Sequence, residues 1–343
     1  MKLSIVVPCF NEEACLPALH ERLAAAARGA VGEDYEIVLI NDGSRDSSWP
    51  IMQAITRSDG HVLAVNLSRN HGHQLALTAG LDLCRGDHVL IIDADLQDPP
   101  ELLPQMIETM RRENADVVYG VRKSRSGETA FKRATAHGFY RLLSRATEVD
   151  IPVDAGDFRL MSRRALDAFL AMPEQARFIR GMVAWIGFKQ VPFAYDRAER
   201  FAGETKYPLS KMVRFAFDAL TGFSSAPLKL ASHAGLWLSL GSILLIMYIA
   251  YAWLTGQNIQ GWTSLMLVVV VLGAVQMFVL ALQGEYIGRL YNEAKRRPLY
   301  IVQEIAGVEK LPSGERRKSR LGYLADATAN SDKPGGKGKR PTR

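Results

Sequence analysis

The chain has 343 residues, enough for about two domains, with 48% hydrophobic residues and a formal net charge of +6. The charge is unevenly spread: Leu230 to Gly284 contains no Lys, Arg, Asp or Glu, whereas Arg289 to Arg343 is markedly basic. That distribution excludes a uniformly basic nucleic-acid binder and points to a membrane protein with a soluble N-terminal part. Cys9, Cys15 and Cys84 show neither metal nor disulfide spacing, which fits a reducing compartment. The apolar run after Met1-Lys2 is too short for a signal-peptide core, so the soluble part is expected in the cytoplasm.

Leu3 to Val7 predicts a first strand stopped by Pro8, and Asn11-Glu12-Glu13 opens a helix over about Ala14 to Arg28. Tyr35 to Ile40 predicts a second strand, ending in Asn41-Asp42-Gly43-Ser44-Arg45-Asp46; Asp46 suits the cap of a helix over about Ser47 to Ser58. His61 to Leu67 predicts a third strand, followed by Ser68-Arg69-Asn70-His71-Gly72-His73 and a helix through Leu75 to Cys84. A strand at His88 to Ile92, a helix over about Pro100 to Glu113 and a strand at Asp116 to Tyr119 follow. This alternation implies right-handed βαβ units and an α/β fold with a mostly parallel, Rossmann-like sheet covered on both faces. Ligands of such sheets bind beyond the carboxyl ends of the strands. The polar clusters Pro8 to Glu12, Asn41 to Asp46, Ser68 to His73 and Asp93 to Asp98 are therefore expected on one edge.

The stretch Asp93-Ala94-Asp95-Leu96-Gln97-Asp98-Pro99-Pro100 carries the densest chemistry. If it stays extended past its strand, alternate side chains share a direction, and Asp93, Asp95 and Gln97 present oxygens to one hard cation. Mg²⁺ bound by one or two carboxylates could then hold a diphosphate. The plainer reading is an acidic loop in which Asp98 caps the next helix. Asp42 could accept hydrogen bonds from a nucleobase or ribose, or simply form the Asp-Gly turn. No Gly-x-Gly-x-x-Gly follows the first strand and no P-loop motif occurs, which disfavours dinucleotide and P-loop chemistry.

Beyond Tyr119, Gly120 to Gly127 is a basic loop of small residues, and Phe131 to Ala146 is a basic amphipathic helix, either an ordinary domain helix or one at a membrane surface. Asp154 to Met161 leads into a helix from about Arg163, Val191 to Tyr195 reads as a strand, and Arg200 to Pro208 is a second basic loop. Lys211 to Lys229 reads as an interfacial helical segment, followed by apolar spans at about Ala234 to Leu254 and Ser264 to Gln283. Each is near the ~20 residues needed to cross a bilayer, with Trp237, Trp253 and Trp262 near the ends. Lys211, Arg214 and Lys229 before the pair and Arg289, Lys295, Arg296 and Arg297 after it put both flanks, and both termini, on the cytoplasmic side of an inner membrane. The tail from about Leu311 has a disordered composition that attracts anionic headgroups weakly. The expected organisation is a catalytic domain over 1–208, interfacial helices over 209–230, two transmembrane helices over 231–286, a basic segment over 287–310 and a basic tail over 311–343.

Val6-Val7-Pro8-Cys9-Phe10-Asn11-Glu12, Asn41 to Asp46, Asp93 to Glu101, Gly156-Asp157-Phe158-Arg159-Leu160 and Gly203-Glu204-Thr205-Lys206-Tyr207 appear in order. Together with the two spans, the chain resembles family 2 glycosyltransferases of the GT-A fold, in particular the polyprenyl-phosphate group that includes bactoprenol glucosyltransferase and dolichol-phosphate mannose synthase. Phe10 and Asn41 depart from the commoner Tyr and Asp.

The resemblance implies inverting transfer of a sugar, glucose from UDP-glucose as first choice, to undecaprenyl phosphate. An aminoarabinose derivative or N-acetylhexosamine is the alternative cargo. It implies that Pro8, Phe10, Glu12, Asp42 and Asp93 bind the donor, and that Asp93, Asp95 and Gln97 hold Mg²⁺ or Mn²⁺. It also implies that Arg122, Arg125 and Arg133 meet the acceptor phosphate, with Arg159, Arg200 and Lys206 near a phosphate. Asp157 would position the site or stabilise positive charge, because a phosphate monoester is already largely anionic at neutral pH. A homotetramer and no nucleic-acid partner complete the expectation. Two rivals are a processive polysaccharide synthase, disfavoured because Arg180 to Trp185 does not match Gln-x-x-Arg-Trp, and a non-catalytic nucleotide-sugar sensor.

Overall fold

Leu3–Cys9 (β1) and Tyr35–Asn41 (β2) are buried at every residue, because each is a nearly unbroken apolar run that needs cover on both faces. The computed structural model describes residues 1–122, 155–196, 226–255, 261–307 and 322–324. The chain divides into two units, one drawn from Met1–Thr129, Ile151–Lys206 and Arg297–Arg343, the other from Ala130–Asp150 and Tyr207–Arg296.

In the first unit β1 pairs in parallel with β2 and with His88–Ile91 (β4), and β2 with Val62–Leu67 (β3). Leu16–Val31 (α1), Ser48–Ser58 (α2) and His73–Leu83 (α3) connect them. Leu16, Leu19, Leu23 and Ala27 form the buried stripe of α1, each leucine contributing on the order of 1.5–3 kcal/mol. A buried polar pair at the amino ends of β1 and β2, Ser4 and Glu36, is satisfied: the hydroxyl donates to the carboxylate at 2.7 Å, and the N–H groups of Arg85 and Gly86 close the cluster.

The sheet departs from the mostly parallel expectation on both flanks. Its order is β7-β5-β6-β4-β1-β2-β3-β8-β9, with β5 at Val117–Arg122, β6 at Ala155–Ser162, β7 at Gln190–Tyr195, β8 at Ile301–Ala306 and β9 at Tyr323–Leu324. β6 lies antiparallel between β4 and β5, and β8 antiparallel to β3. The sequence offers Asp154 to Met161 only as an approach to a helix; Ala155–Ser162 is a strand, and the buried charges of Asp157 and Arg159 mask its otherwise apolar pattern. The first strand also runs through Pro8 to Cys9, with Pro8 opposite Ile40. Beyond β4, a 3-10 turn at Pro100–Leu102 enters Leu103–Arg112 (α4); Pro99 holds the N-cap position of the turn, and Asp98 does not cap it. After β6 come Arg163–Leu170 (α5) and Ile179–Trp185 (α6). β8 is stitched in by Ser68 N–H to Ile301 O (2.9 Å) and by the buried Tyr300, whose hydroxyl donates to Asp82 at 2.7 Å.

The second unit holds Ala226–Leu254 (α7) and Trp262–Ala294 (α8). Among the described residues, Val268–Ala294 alone is long and apolar enough to cross a membrane, with mean hydropathy 1.9. The apolar stretch of α7 is the shorter Ala231–Leu245, about 22 Å at 1.5 Å per residue against a ~30 Å hydrocarbon core. One helix therefore qualifies where two were expected. Trp237, Ile243 and Leu244 on α7 and Met277, Phe278 and Ile287 on α8 are bare.

Candidate active site

Because β1, β2, β3 and β4 are parallel, their carboxyl ends open at one edge. There Asn11 adopts a left-handed backbone (φ 57), a conformation Asn tolerates better than most residues. Its side-chain oxygen accepts from Arg45 N–H at 2.9 Å, and its own N–H donates to Ser44 Oγ at 2.9 Å. Glu12 N–H donates to Ser48 Oγ, Glu13 N–H to Asp46 Oδ2, and Ser47 N–H back to Glu13 Oε2. The loops after β1 and β2 are thus one cross-linked wall, from which Phe10 projects with 44% exposure. Glu12 is half-buried, and Pro8 is buried beneath.

Asp42, at the end of β2, is buried and accepts from the N–H groups of His71 (2.7 Å) and Gly72 (2.9 Å). Burial raises its pKa, with those two bonds opposing. It therefore fixes the loop after β3, and its remaining acceptor sites can still take a nucleobase or ribose donor.

The acidic stretch does not stay extended. It turns at Ala94-Asp95, Leu96 is left-handed (φ 58), and Asp95 Oδ1 accepts from Gln97 N–H at 3.2 Å. The alternation that would aim Asp93, Asp95 and Gln97 one way is absent, and among the described residues no three His, Cys, Asp or Glu side chains form a metal-holding group. The donor chemistry nonetheless suits a hard cation. Asp93 Oδ1 is fully covered without a hydrogen-bond partner among the described residues, while the side chain as a whole keeps 30% exposure. Burial pushes the Asp93 carboxyl up to about 6, with Asp157, Asp98 and Asp95 adding and His73 opposing. A covered carboxylate crowded by its own kind is relieved by a divalent ion, and Mg²⁺ needs only one or two such ligands plus phosphate oxygens. Asp98 is not a cap: it is buried and takes the Tyr195 hydroxyl.

Asp157, on β6, is the most heavily held carboxylate. Arg180 Nε at the start of α6 donates to it at 2.9 Å, His73 Nε2 lies 3.2 Å away, and Arg159 Nη2 is 3.7 Å away. Burial would raise its pKa, but His73 and Arg180 hold it far below the ordinary range. His73 also stands 3.6 Å from Asp93 Oδ1. Burial opposes its charge, yet Asp157 and Asp93 raise its pKa overall. Arg159 is 3% exposed, gives Nη2 to Gly156 O at 3.0 Å, and burial brings it down to about 10. The edge therefore brings together Asp42, Asp93, Asp95, Asp157 and Arg159, with Arg122 half-buried at the end of β5. Arg125, Arg133, Arg200 and Lys206 lie outside the described residues.

The model of glycosyl transferase family 2 matches residues 4–170. The chain is 47% identical over 310 residues to YkcC, a glycosyltransferase of Bacillus subtilis (strain 168), covering 90% of this chain and 95% of that protein. The chain belongs to glycosyl transferase family 2. It is 38% identical to a prophage bactoprenol glucosyl transferase homolog of Escherichia coli (strain K12), over 89% of this chain and 99% of that one. Mannosyl-3-phosphoglycerate synthase from Rubrobacter xylanophilus superposes with a TM-score of 0.46 at 19% identity, over 68% of this chain and 75% of that chain. In this family 2 glycosyltransferase, sequence reasoning gave no role to His73, Arg180 or Tyr195. His73 closes a cluster already marked after β3, but its partner Asp157 is 84 positions away. Arg180 was weighed only against a synthase motif it does not fit.

Proposed function

We propose that the chain transfers glucose from UDP-glucose to the phosphate of undecaprenyl phosphate with inversion, giving a lipid-linked monosaccharide for the cell envelope. The observation that carries this is the likeness, over nearly the whole of both chains, to a protein named as a bactoprenol glucosyl transferase homolog. The site's chemistry fits. Phe10 offers an exposed ring for a nucleobase, and Asp42, whose N–H donates to Cys9 O at 2.9 Å, a buried acceptor. Asp93 and Asp95, with Gln97, would hold Mg²⁺ or Mn²⁺. When bound, that ion supplies Lewis-acid neutralisation of charge on the departing nucleotide.

The chain's own residues then have a defined task. The acceptor phosphate arrives already largely anionic, since its second pKa is ~6, so it needs no base. Asp157 is a poor base in any case: a carboxylate held so strongly in its charged form takes a proton weakly. Clamped by Arg180 and His73, it orients the site and stabilises positive charge developing on the sugar. Arg122, Arg125 and Arg133 draw in the acceptor phosphate, with Arg200 and Lys206 assisting; guanidinium suits bidentate phosphate contact.

The membrane reading includes a return crossing. β8 follows α8 and shares a sheet with β1 to β7, which precede α7. A sheet lies on one side of a bilayer, so if Val268–Ala294 crosses, the chain between β7 and β8 crosses an even number of times. The 29-residue α7, about 43 Å long, is the available partner. Arg289, Lys295, Arg296 and Arg297 put the sheet on the cytoplasmic side.

The test is transfer of radiolabelled glucose by the purified full chain to undecaprenyl phosphate, with a donor panel and mass spectrometry of the lipid. One added hexose is expected, lost on chelation and reduced at least about 100-fold in Asp95→Ala, an electrostatic effect of the usual size. Undiminished transfer in Asp95→Ala would sink the metal assignment. A polymeric product would favour the synthase, and donor binding without turnover the sensor.

A further inference from the structure

Asp98 and Tyr195 are unexplained by the reaction just described, yet both are sealed: Asp98 is 2% exposed and Tyr195 3%. The Tyr195 hydroxyl donates to Asp98 Oδ1, and Arg122, the register partner of Tyr195 on the adjacent strand, acts electrostatically on the same hydroxyl. Asp98 ends the acidic stretch after β4, whereas Arg122 ends β5, two strands away in the sheet order. Tyr195 is the register partner of Arg122 at the end of β7. One phenol therefore joins the loop that would hold the donor diphosphate to the arginine that would meet the acceptor.

The ring is built into place. It packs edge-on against Phe158, with centroids 5.4 Å apart, and crosses β5 at Gly120. A Cβ at Gly120 would stand 2.7 Å from the Tyr195 ring and 2.8 Å from Phe158, so only glycine leaves the phenol room. Chemistry suits tyrosine there, because its hydroxyl donates to the Asp98 carboxylate and keeps a lone pair toward the neighbouring guanidinium. Arg122 also has unspent capacity: its Nε is covered and has no hydrogen-bond partner among the described residues. A covered guanidinium N–H of this kind calls for an oxyanion.

We propose that Tyr195 is a positioning residue, fixing Arg122 against the Asp93–Asp98 loop so that its guanidinium edge meets the acceptor phosphate. The inference rests on the reading that Arg122 faces the lipid phosphate, and it assigns Tyr195 a role in acceptor affinity, leaving donor affinity alone.

The experiment measures dissociation constants of undecaprenyl phosphate and, separately, of UDP with Mg²⁺ for the full chain in detergent. Wild type is compared with Tyr195→Phe, Arg122→Lys and the double variant; the phenylalanine keeps the ring and removes only the hydroxyl. Tyr195→Phe should weaken undecaprenyl phosphate about ten-fold, or about 1.4 kcal/mol, and leave UDP within two-fold. In the Arg122→Lys background it should add no further loss, since the two act as one unit. Equal weakening of both ligands, additive losses in the double variant, or unchanged lipid affinity would each overturn the proposal. Gly120→Ala, which pushes the ring aside, should reproduce the Tyr195→Phe pattern; weakened UDP binding alone would count against it. A wild type that binds both ligands but transfers no sugar would end the proposed reaction while leaving the positioning role measured. One that ignores the lipid phosphate would end both.

Discussion

Asp157 concentrates the strongest electrostatics of the site, and Arg180 is the side chain to remove. In Arg180→Met the aspartate keeps His73 and Arg159 but loses its 2.9 Å partner. A covered carboxylate stripped of a charged donor costs about 1–3 kcal/mol. On the proposed role of Asp157 in the transition state, kcat should fall about 100-fold while the UDP dissociation constant stays within a few-fold; steady-state kinetics with a binding measurement checks this. A second residue-scale prediction lies away from the site, at Asp59. His61 N–H donates to it at 2.9 Å, and His20 Nε2 stands 2.8 Å from its other oxygen. His61 is stacked on Tyr35 at 4.4 Å and also faces Glu33. Burial resists, but these partners bring Asp59 down from 3.8 to about 2. Its folded value lies below its unfolded one, so its contribution is complete above about pH 4 and disappears as pH falls toward about 2. The amount is about 2.5 kcal/mol at most, at about 1.4 kcal/mol per unit. Melting temperature followed from pH 5 to pH 2 should drop more steeply in wild type than in Asp59→Asn, and parallel curves would refute the assignment.

Between elements, the site depends on how tightly the loops after β2 and β3 approach. Gly43 has φ +65, and a Cβ there would lie 2.6 Å from the backbone of Arg69 and Asn70. Gly43→Ala should destabilise by about 1–3 kcal/mol and weaken UDP at least ten-fold by displacing Asp42, as calorimetry would read. The parallel core of this arrangement was legible because β1 to β4 are apolar runs separated by turn residues, and the four polar clusters do share the predicted edge. The shape of the acidic loop was not legible: nothing in the local pattern announces the turn at Ala94-Asp95 or the left-handed backbone of Leu96 that together break the expected alternation. Nor was β6, whose buried Asp157 and Arg159 look like a loop until Arg180 and His73 arrive to neutralise them. β8 was hidden for a different reason. Ile301-Val302-Gln303-Glu304-Ile305-Ala306 follows a basic segment and finds its partner, β3, more than 230 positions back, a pairing no local pattern announces.

At the scale of the molecule, that late strand constrains the membrane topology. β8 joins the sheet after the apolar helices, so on the proposed topology the chain leaves the first unit and comes back to it. On the proposed topology, the α7 end at Thr255 faces the far side. Native thiols do not obscure a labelling test, because Cys9, Cys15 and Cys84 are all buried. In intact cells, a membrane-impermeant maleimide should label Thr255→Cys, at the α7 end, and leave Lys295→Cys, just past α8, unlabelled until the membrane is opened. Thr255 is exposed, and its hydroxyl donates to the helix carbonyl of Tyr251 at 3.0 Å. Labelling of both positions from outside would contradict the sheet's placement in the cytoplasm. Labelling of neither would mean that α7 and α8 lie along the membrane surface, and Val268–Ala294 would then have to be read as an interfacial helix despite carrying no charge before Glu285.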